Sequence, residues 1–115
     1  MSPSRGTAAL QAPAAAPVFA ALGDATRLGL LRRLSAEGAL SITRLSEGTG
    51  VTRQAITRHL DALGRVGLVR DARRGRERMF ALDRKRLENA RQYLDHIAAQ
   101  WDAAAARLKA FVEEG

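Results

Sequence analysis

The stretch from Leu45 to Asp83, LSEGTGVTRQAITRHLDALGRVGLVRDARRGRERMFALD, constrains the fold more than any other part of this chain. Just before it, Ser41 is placed to cap ITRLSEG, a helix of about two turns closed by Gly48 and Gly50. Thr52 is the natural cap of a second helix, RQAITRHLDALGRV, and Gly67 stands in its C-terminal stop position. Leu68 to Asp71 and Arg78 to Leu82 read as short strands, joined through a hairpin tip, ARRGRE, built on Gly75.

A short helix, a turn, a second helix and a ribbon is the order that places one helix in a major groove of DNA with a β-wing beside it. The expected fold class is therefore mainly α (α+β): a winged helix-turn-helix with a two-stranded wing and a long C-terminal dimerisation helix. Charge falls on the same stretch. Residues 53–86 hold eleven Lys/Arg against four Asp/Glu, a net +7. The whole chain has 19 basic and 12 acidic residues, also +7, so the remainder is neutral. A pI near 11.4 asks for a polyanionic partner. Of the 19 cations 17 are arginine, whose planar fork suits phosphates and guanine edges.

At 115 residues the chain is one domain of modest core, a size at which pairing with a second copy buries useful apolar surface. It has no cysteine, hence no disulfide, thiolate metal site or thiol switch. No apolar run reaches the roughly 20 residues of a membrane span, and the N-terminal stretch lacks the continuous apolar segment of a signal peptide. A cytoplasmic protein with no membrane partner is expected. Residues 1–17 hold all three prolines and much alanine, and read as a disordered tail. The domain then runs over 18–115, starting with a short helix, VFAAL, stopped by Gly23. Asp24 caps ATRLGLLRRLSA, with Leu28, Leu31 and Leu34 expected on its inner face.

The last helix, expected over 84–113, carries Leu87, Ala90, Leu94, Ile97, Trp101, Ala104, Leu108 and Phe111 at alternating spacings of three and four. Such a seam asks for another helix along its length. At about 43 Å the helix is too long for so small a domain to cover, so a homodimer is expected through Leu94, Ile97, Trp101, Ala104, Leu108 and Phe111. Ala90 and Ala104 should let the partner approach closely. His96 flanks this seam.

On the second helix of the motif, Ile56, Leu60, Leu63 and Val66 make the buried stripe. Arg53, Gln54, Thr57, Arg58 and Asp61 make the opposite face. Gln pairs bidentately with adenine and Arg with guanine, while Thr bonds a base edge or meets a thymine methyl. The expected DNA-binding residues are Thr52, Arg53, Gln54, Thr57 and Arg58, with Arg73, Arg74 and Arg76 on the wing. His59 lies between the two stripes and suits a local hydrogen bond better than a DNA contact.

These residues carry a family resemblance. LGDATRLGLLRRL at 22–34, LSITRLSEGTGVTRQAITRHLDAL at 40–63 and GLVRDARRGRERMFAL at 67–82 together resemble the ArsR/SmtB family of winged-helix repressors. The long last helix is similar to that family's dimerisation helix, and Tyr93 with Trp101 resembles a subgroup with an aromatic-rich one. The resemblance implies a homodimer built on the first and last helices, with two recognition helices in successive major grooves of a palindromic operator. It also implies a repressor released by an inducer. Metal-sensing members carry Cys-x-Cys where this chain has Ser41-Ile42-Thr43, and neutral hydroxyls are poor ligands for soft metals. Other members bind zinc through Asp, His, His and Glu; Asp95-His96 echoes the first pair, with no second His beyond it. A member without a metal site is expected, with no cofactor and an inducer that is an unidentified small molecule.

Two other functions fit the same fold: a winged-helix module that docks an acidic protein, and a nonspecific DNA binder. An enzyme is not expected. There is no nucleophile–base pair, no paired carboxylates, and Gly48 and Gly50 are not followed by the GK[ST] of a phosphate loop.

Overall fold

The computed structural model describes residues 11–114. In chain order its elements are α1 (Ala12–Leu22), α2 (Ala25–Glu37), β1 (Leu40–Ser41), α3 (Ile42–Ser46), α4 (Arg53–Arg65), β2 (Val69–Arg74), β3 (Glu77–Leu82) and α5 (Arg84–Glu114). This is a winged helix-turn-helix: α3 and α4 form the motif, β2 and β3 the wing, and α5 the long terminal helix. No single described helix is long and apolar enough to cross a membrane.

The caps fall where the side chains demand. Asp24 Oδ2 accepts from the Arg27 amide at 3.0 Å, Ser41 Oγ from Arg44 at 3.1 Å and Thr52 Oγ1 from Ala55 at 3.1 Å. Each satisfies an amide that the first turn leaves open. Gly67 ends α4 at φ +81°, with the Leu68 amide donating to Leu63 O and the Gly67 amide to Gly64 O. That pair of bonds is a Schellman ending, and it turns the chain straight into β2. Leu45, Ile56, Leu60, Leu63, Leu68 and Phe80 are fully buried and form the centre of the core.

The first element departs from expectation. Residues 12–17 were expected in a disordered tail; they form the first half of α1. Pro13 lies in the first turn, where a missing N–H costs nothing, and Pro17 forgoes one backbone bond. Ala15, Val18 and Ala21 are buried at helical spacing against the core. An alanine face gains burial only from its neighbours, so composition alone reads it as unstructured. Residues 1–10 of the expected tail lie outside the described residues.

The inner face of α2 is also rotated from the expected one. Leu30, Leu31 and Leu34 are buried, whereas Leu28 is 51% exposed. Arg27 takes the inner position instead. Its Nε donates to Ala21 O at 2.6 Å and its Nη1 lies 3.3 Å from His59 Nδ1, so one guanidinium closes the end of α1 and reaches α4. Further along α2, Arg33 Nη1 donates to Arg44 O and Leu45 O, which fixes the end of α3.

The sheet has three strands rather than two, in the order β1-β3-β2, all antiparallel. Two residues, Leu40 and Ser41, are too few to show a strand period, and β1 exists only because β3 has a free edge beside it. The wing strands are longer than expected: Arg74 pairs with Glu77, which leaves a two-residue turn, Gly75-Arg76. Gly75 takes φ +64°. Positive φ at the first turn position alone fits a type II′ hairpin.

On α5, Ala90 is 3% exposed and belongs to the chain's own core, and Tyr93 packs its ring 5.8 Å from Phe19 of α1. Ala90 is thus not the gap expected for a partner. Beyond it Leu94, Ile97, Trp101, Leu108 and Phe111 are exposed, Trp101 at 71% and Phe111 at 75%.

Candidate nucleic-acid interface

The start of α4 faces outward because its inward positions are taken by Ile56, Leu60 and Leu63. Arg53, Gln54, Thr57 and Arg58 line an open depression of about 600 Å³ together with Ile42 from α3. Next to it, Arg53, Arg73 and Arg76 line a second concavity of about 300 Å³ with Ser41, Ile42, Thr43, Glu77 and Arg78. Arg53 belongs to both, so the face of α4 and the wing make one continuous hollow. Arg74, expected in the same set, lines neither depression, and Thr52 stands at the rim as the cap of α4.

The hydrogen bonds narrow what each side chain can offer. Thr57 Oγ1 donates to Arg53 O at 2.9 Å, so its proton is used within the helix. What it presents outward is a methyl group and an accepting oxygen. Thr52 Oγ1 accepts in the cap and keeps its proton free. Among the described residues Arg53, Gln54, Arg58, Arg74 and Arg76 have no side-chain hydrogen bond or ion pair, and Arg73 makes only a 3.5 Å bond to Arg76 O.

The acids in this region are accounted for differently. Asp61 and Asp71 both pair with Arg78, at 3.2 and 2.7 Å, and Asp83 pairs with Arg70 at 3.7 Å. The Arg78 guanidinium beside it holds Asp71 below the usual carboxylate range, and Asp71 in turn raises Arg78. Three of the four acids between Arg53 and Arg86 are thus ion-paired with two arginines, Asp61 and Asp71 sharing one of them. The hollow keeps its positive field because those acids are spent elsewhere. Asp61 was expected on the free outer face with Thr57 and Arg58; it is tied to the wing instead.

His59 lies away from the hollow. Its Nδ1 sits 3.3 Å from Arg27 Nη1 and 3.8 Å from Asp24 Oδ2, so it links α4 to α2. An arginine only donates, so His59 can take this contact only through the lone pair of Nδ1. The reading of the sequence missed Ile42, Thr43, Glu77 and Arg78 as lining residues. Only the strand alternation that puts Arg78 on the same face as Phe80 could have signalled one of them.

Comparison with known proteins adds to this geometry. Residues 22–72 match the family model described as a helix-turn-helix domain. The chain is 36% identical over 78 residues to the HTH-type transcriptional regulator YuzN of Bacillus subtilis, covering 63% of this chain and 85% of the relative. The fold is similar to a solved ArsR-like transcriptional regulator from Rhodococcus sp. RHA1, with TM-score 0.75 and 37% identity over 84% of this chain and 91% of that one. It is also similar to the homodimeric winged helix-turn-helix DNA-binding domain Mb0332 from Mycobacterium bovis, with TM-score 0.60 and 27% identity over 76% and 80% of the two chains.

Proposed function

This chain belongs to the ArsR family of helix-turn-helix transcriptional regulators, and from that premise we propose that it is a homodimeric repressor that reads a palindromic operator and leaves it when an inducer binds. The observation that carries the reading is the continuous hollow in which Arg53, Gln54 and Arg58 of α4 and Arg73 and Arg76 of the wing stand without acidic partners. Guanidiniums gathered in this way repel one another, and a phosphate backbone is the compensation their spacing suits. Gln54 and Arg58 reach base edges in the major groove. Arg53 sits between phosphate and base, and the wing arginines meet phosphates or the minor groove.

Dimerisation supplies the second half-site. The stripe of exposed Leu94, Ile97, Trp101, Leu108 and Phe111 on α5, with half-buried Ala104 among them, supports it, as does the homodimeric state of the Mycobacterium bovis domain. The inducer is a small molecule rather than a soft metal: Ser41 Oγ already caps α3, and Thr43 adds only a neutral hydroxyl.

Selection of bound duplexes from a random pool tests the proposal. The expected result is a twofold-symmetric consensus with half-sites about one helical turn apart. Binding without a consensus would leave a nonspecific DNA binder. No enrichment at all, with retention on an acidic protein, would favour the docking-module reading.

A further inference from the structure

Arg78 is one of the basic residues to which the DNA-reading proposal gives no task. It lies on β3 two residues before Phe80, on the face turned toward α4. Its Nε donates to Asp71 Oδ2 on β2 at 2.7 Å, and its Nη2 to Asp61 Oδ1 on α4 at 3.2 Å. Its Cζ lies 4.8 Å from the centre of the Phe80 ring, which is itself 2% exposed. One planar group therefore joins three elements, with a buried aromatic ring fixing the plane. On the tip side of Phe80 the wing has no buried side chain to hold it against α4; its other buried residue, Val69, lies at the base of β2.

We infer that Arg78 is a positioning residue for DNA recognition, a brace that sets the wing at a fixed distance and angle from α4 and takes no direct part in binding DNA. The inference rests on the proposed reading of DNA by this hollow. Asp61 lies four residues after Thr57 and three after Arg58, so it is on the same helix face as the base-reading side chains. Asp71 and Arg78 begin the free part of the hairpin that carries Arg73, Arg74 and Arg76. Holding the two carboxylates on one guanidinium therefore holds the base readers in register with the phosphate contacts.

The exposure of the three side chains points to geometry rather than stability as the role. Arg78, Asp61 and Asp71 are 39%, 43% and 47% exposed, and ion pairs so open to water contribute little to folding. A bidentate fork nevertheless imposes a distance and a plane, which a lysine ammonium does not. Arg78 also cancels the carboxylate that α4 would otherwise present toward phosphates. Two of its five N–H donors are committed, and the two carboxylates beside it oppose a phosphate there.

Two variants test the brace. Arg78→Lys keeps the charge and loses the fork; Asp61→Ala removes one arm and leaves Arg78 in place. Each is measured on the duplex selected by the unmodified protein and on a scrambled duplex of equal length. The ratio of the two affinities should fall about fivefold in either variant, the lower end of typical coupling between sites. The salt dependence should stay unchanged, since no phosphate contact is lost. The free protein gives a second readout. The chain has no cysteine, so Glu77→Cys accepts a single spin label at the wing, and its spectrum should show greater mobility in both variants. If Asp61→Ala tightens both duplexes equally and the label is no more mobile, Asp61 is only a repulsive charge and the brace is wrong. A lower salt slope in Arg78→Gln, which removes the charge, would make Arg78 a phosphate contact, which also overturns it. Should the unmodified protein prefer no duplex, the DNA-reading proposal fails, while the label still decides whether Arg78 holds the wing.

Discussion

Single side chains in the hollow differ in what they have left to give. Thr57 has spent its proton on Arg53 O, whereas Arg58 makes no bond within the described chain and keeps both edges of its fork. Replacing Arg58 with Ala should therefore cost roughly 1–3 kcal/mol on the selected duplex and relax the consensus at one position per half-site. Uniform weakening on every sequence would make Arg58 a phosphate contact instead. Arg76 stands at the turn itself, where little besides an anion can repay its charge. Arg76→Ala should weaken selected and random duplexes alike and flatten the plot of log affinity against log salt by about 1.8 for a dimer. An unchanged slope would mean that the wing tip points away from DNA.

At the scale of the element, the helix-turn-helix depends on caps at both of its helices. Ser41 is 7% exposed, and its hydroxyl holds the first turn of the five-residue α3. A helix so short has almost no stability of its own. Ser41→Ala should lower the unfolding free energy by about 1 kcal/mol, read from the denaturant midpoint at constant m. The wing adds a dependence on pH. The pKa of Asp71 is lowered by the Arg78 hydrogen bond, and that of Asp24 by the Arg27 amide at the start of α2. A carboxyl with a depressed pKa in the folded chain contributes stability above its ordinary range, and this is lost as pH falls through the folded value. Stability should accordingly decline in acid below the ordinary Asp range. Asp71→Asn should be less stable than the parent at neutral pH and decline less on acidification. Parallel curves for the two proteins would remove Asp71 from the account.

For the whole molecule, the question is what covers α5. Its 31 residues run about 46 Å, and past Tyr93 the large apolar side chains among the described residues are exposed. Isolated apolar residues on a surface need no explanation, but a stripe at heptad spacing does. Trp101, 71% exposed in the single chain, can become glutamate there without disturbing the core. Across a twofold contact the same change would bury two like charges at a cost of several kcal/mol. Trp101→Glu should then convert the dimer to monomer by light scattering while helical content stays near normal. A dimer of unchanged mass would place the contact on another face.

The sequence alone determined the elements whose signals are local. Ser41, Thr52, Gly67 and Gly75 mark helix starts, a helix stop and a hairpin turn because each meets a requirement of its own few neighbours. The period of Ile56, Leu60 and Leu63 is likewise enough to tell the inner face of α4 from the outer. The tertiary structure decided whatever depends on partners far along the chain. Arg27 became an inner residue of α2 because the end of α1 and His59, 32 positions away, absorb its hydrogen bonds. Residues 12–17 became helix because a surface was there to bury Ala15, β1 because β3 offered an edge, and Ala90 a core residue because α1 lay against it. Asp61 ceased to be a free charge because Arg78, 17 positions on, folds back over α4. Helix caps and periodicity are written in adjacent residues. The pairing of charges, and the burial of small or polar side chains, is settled only when packing brings distant segments within a few ångströms.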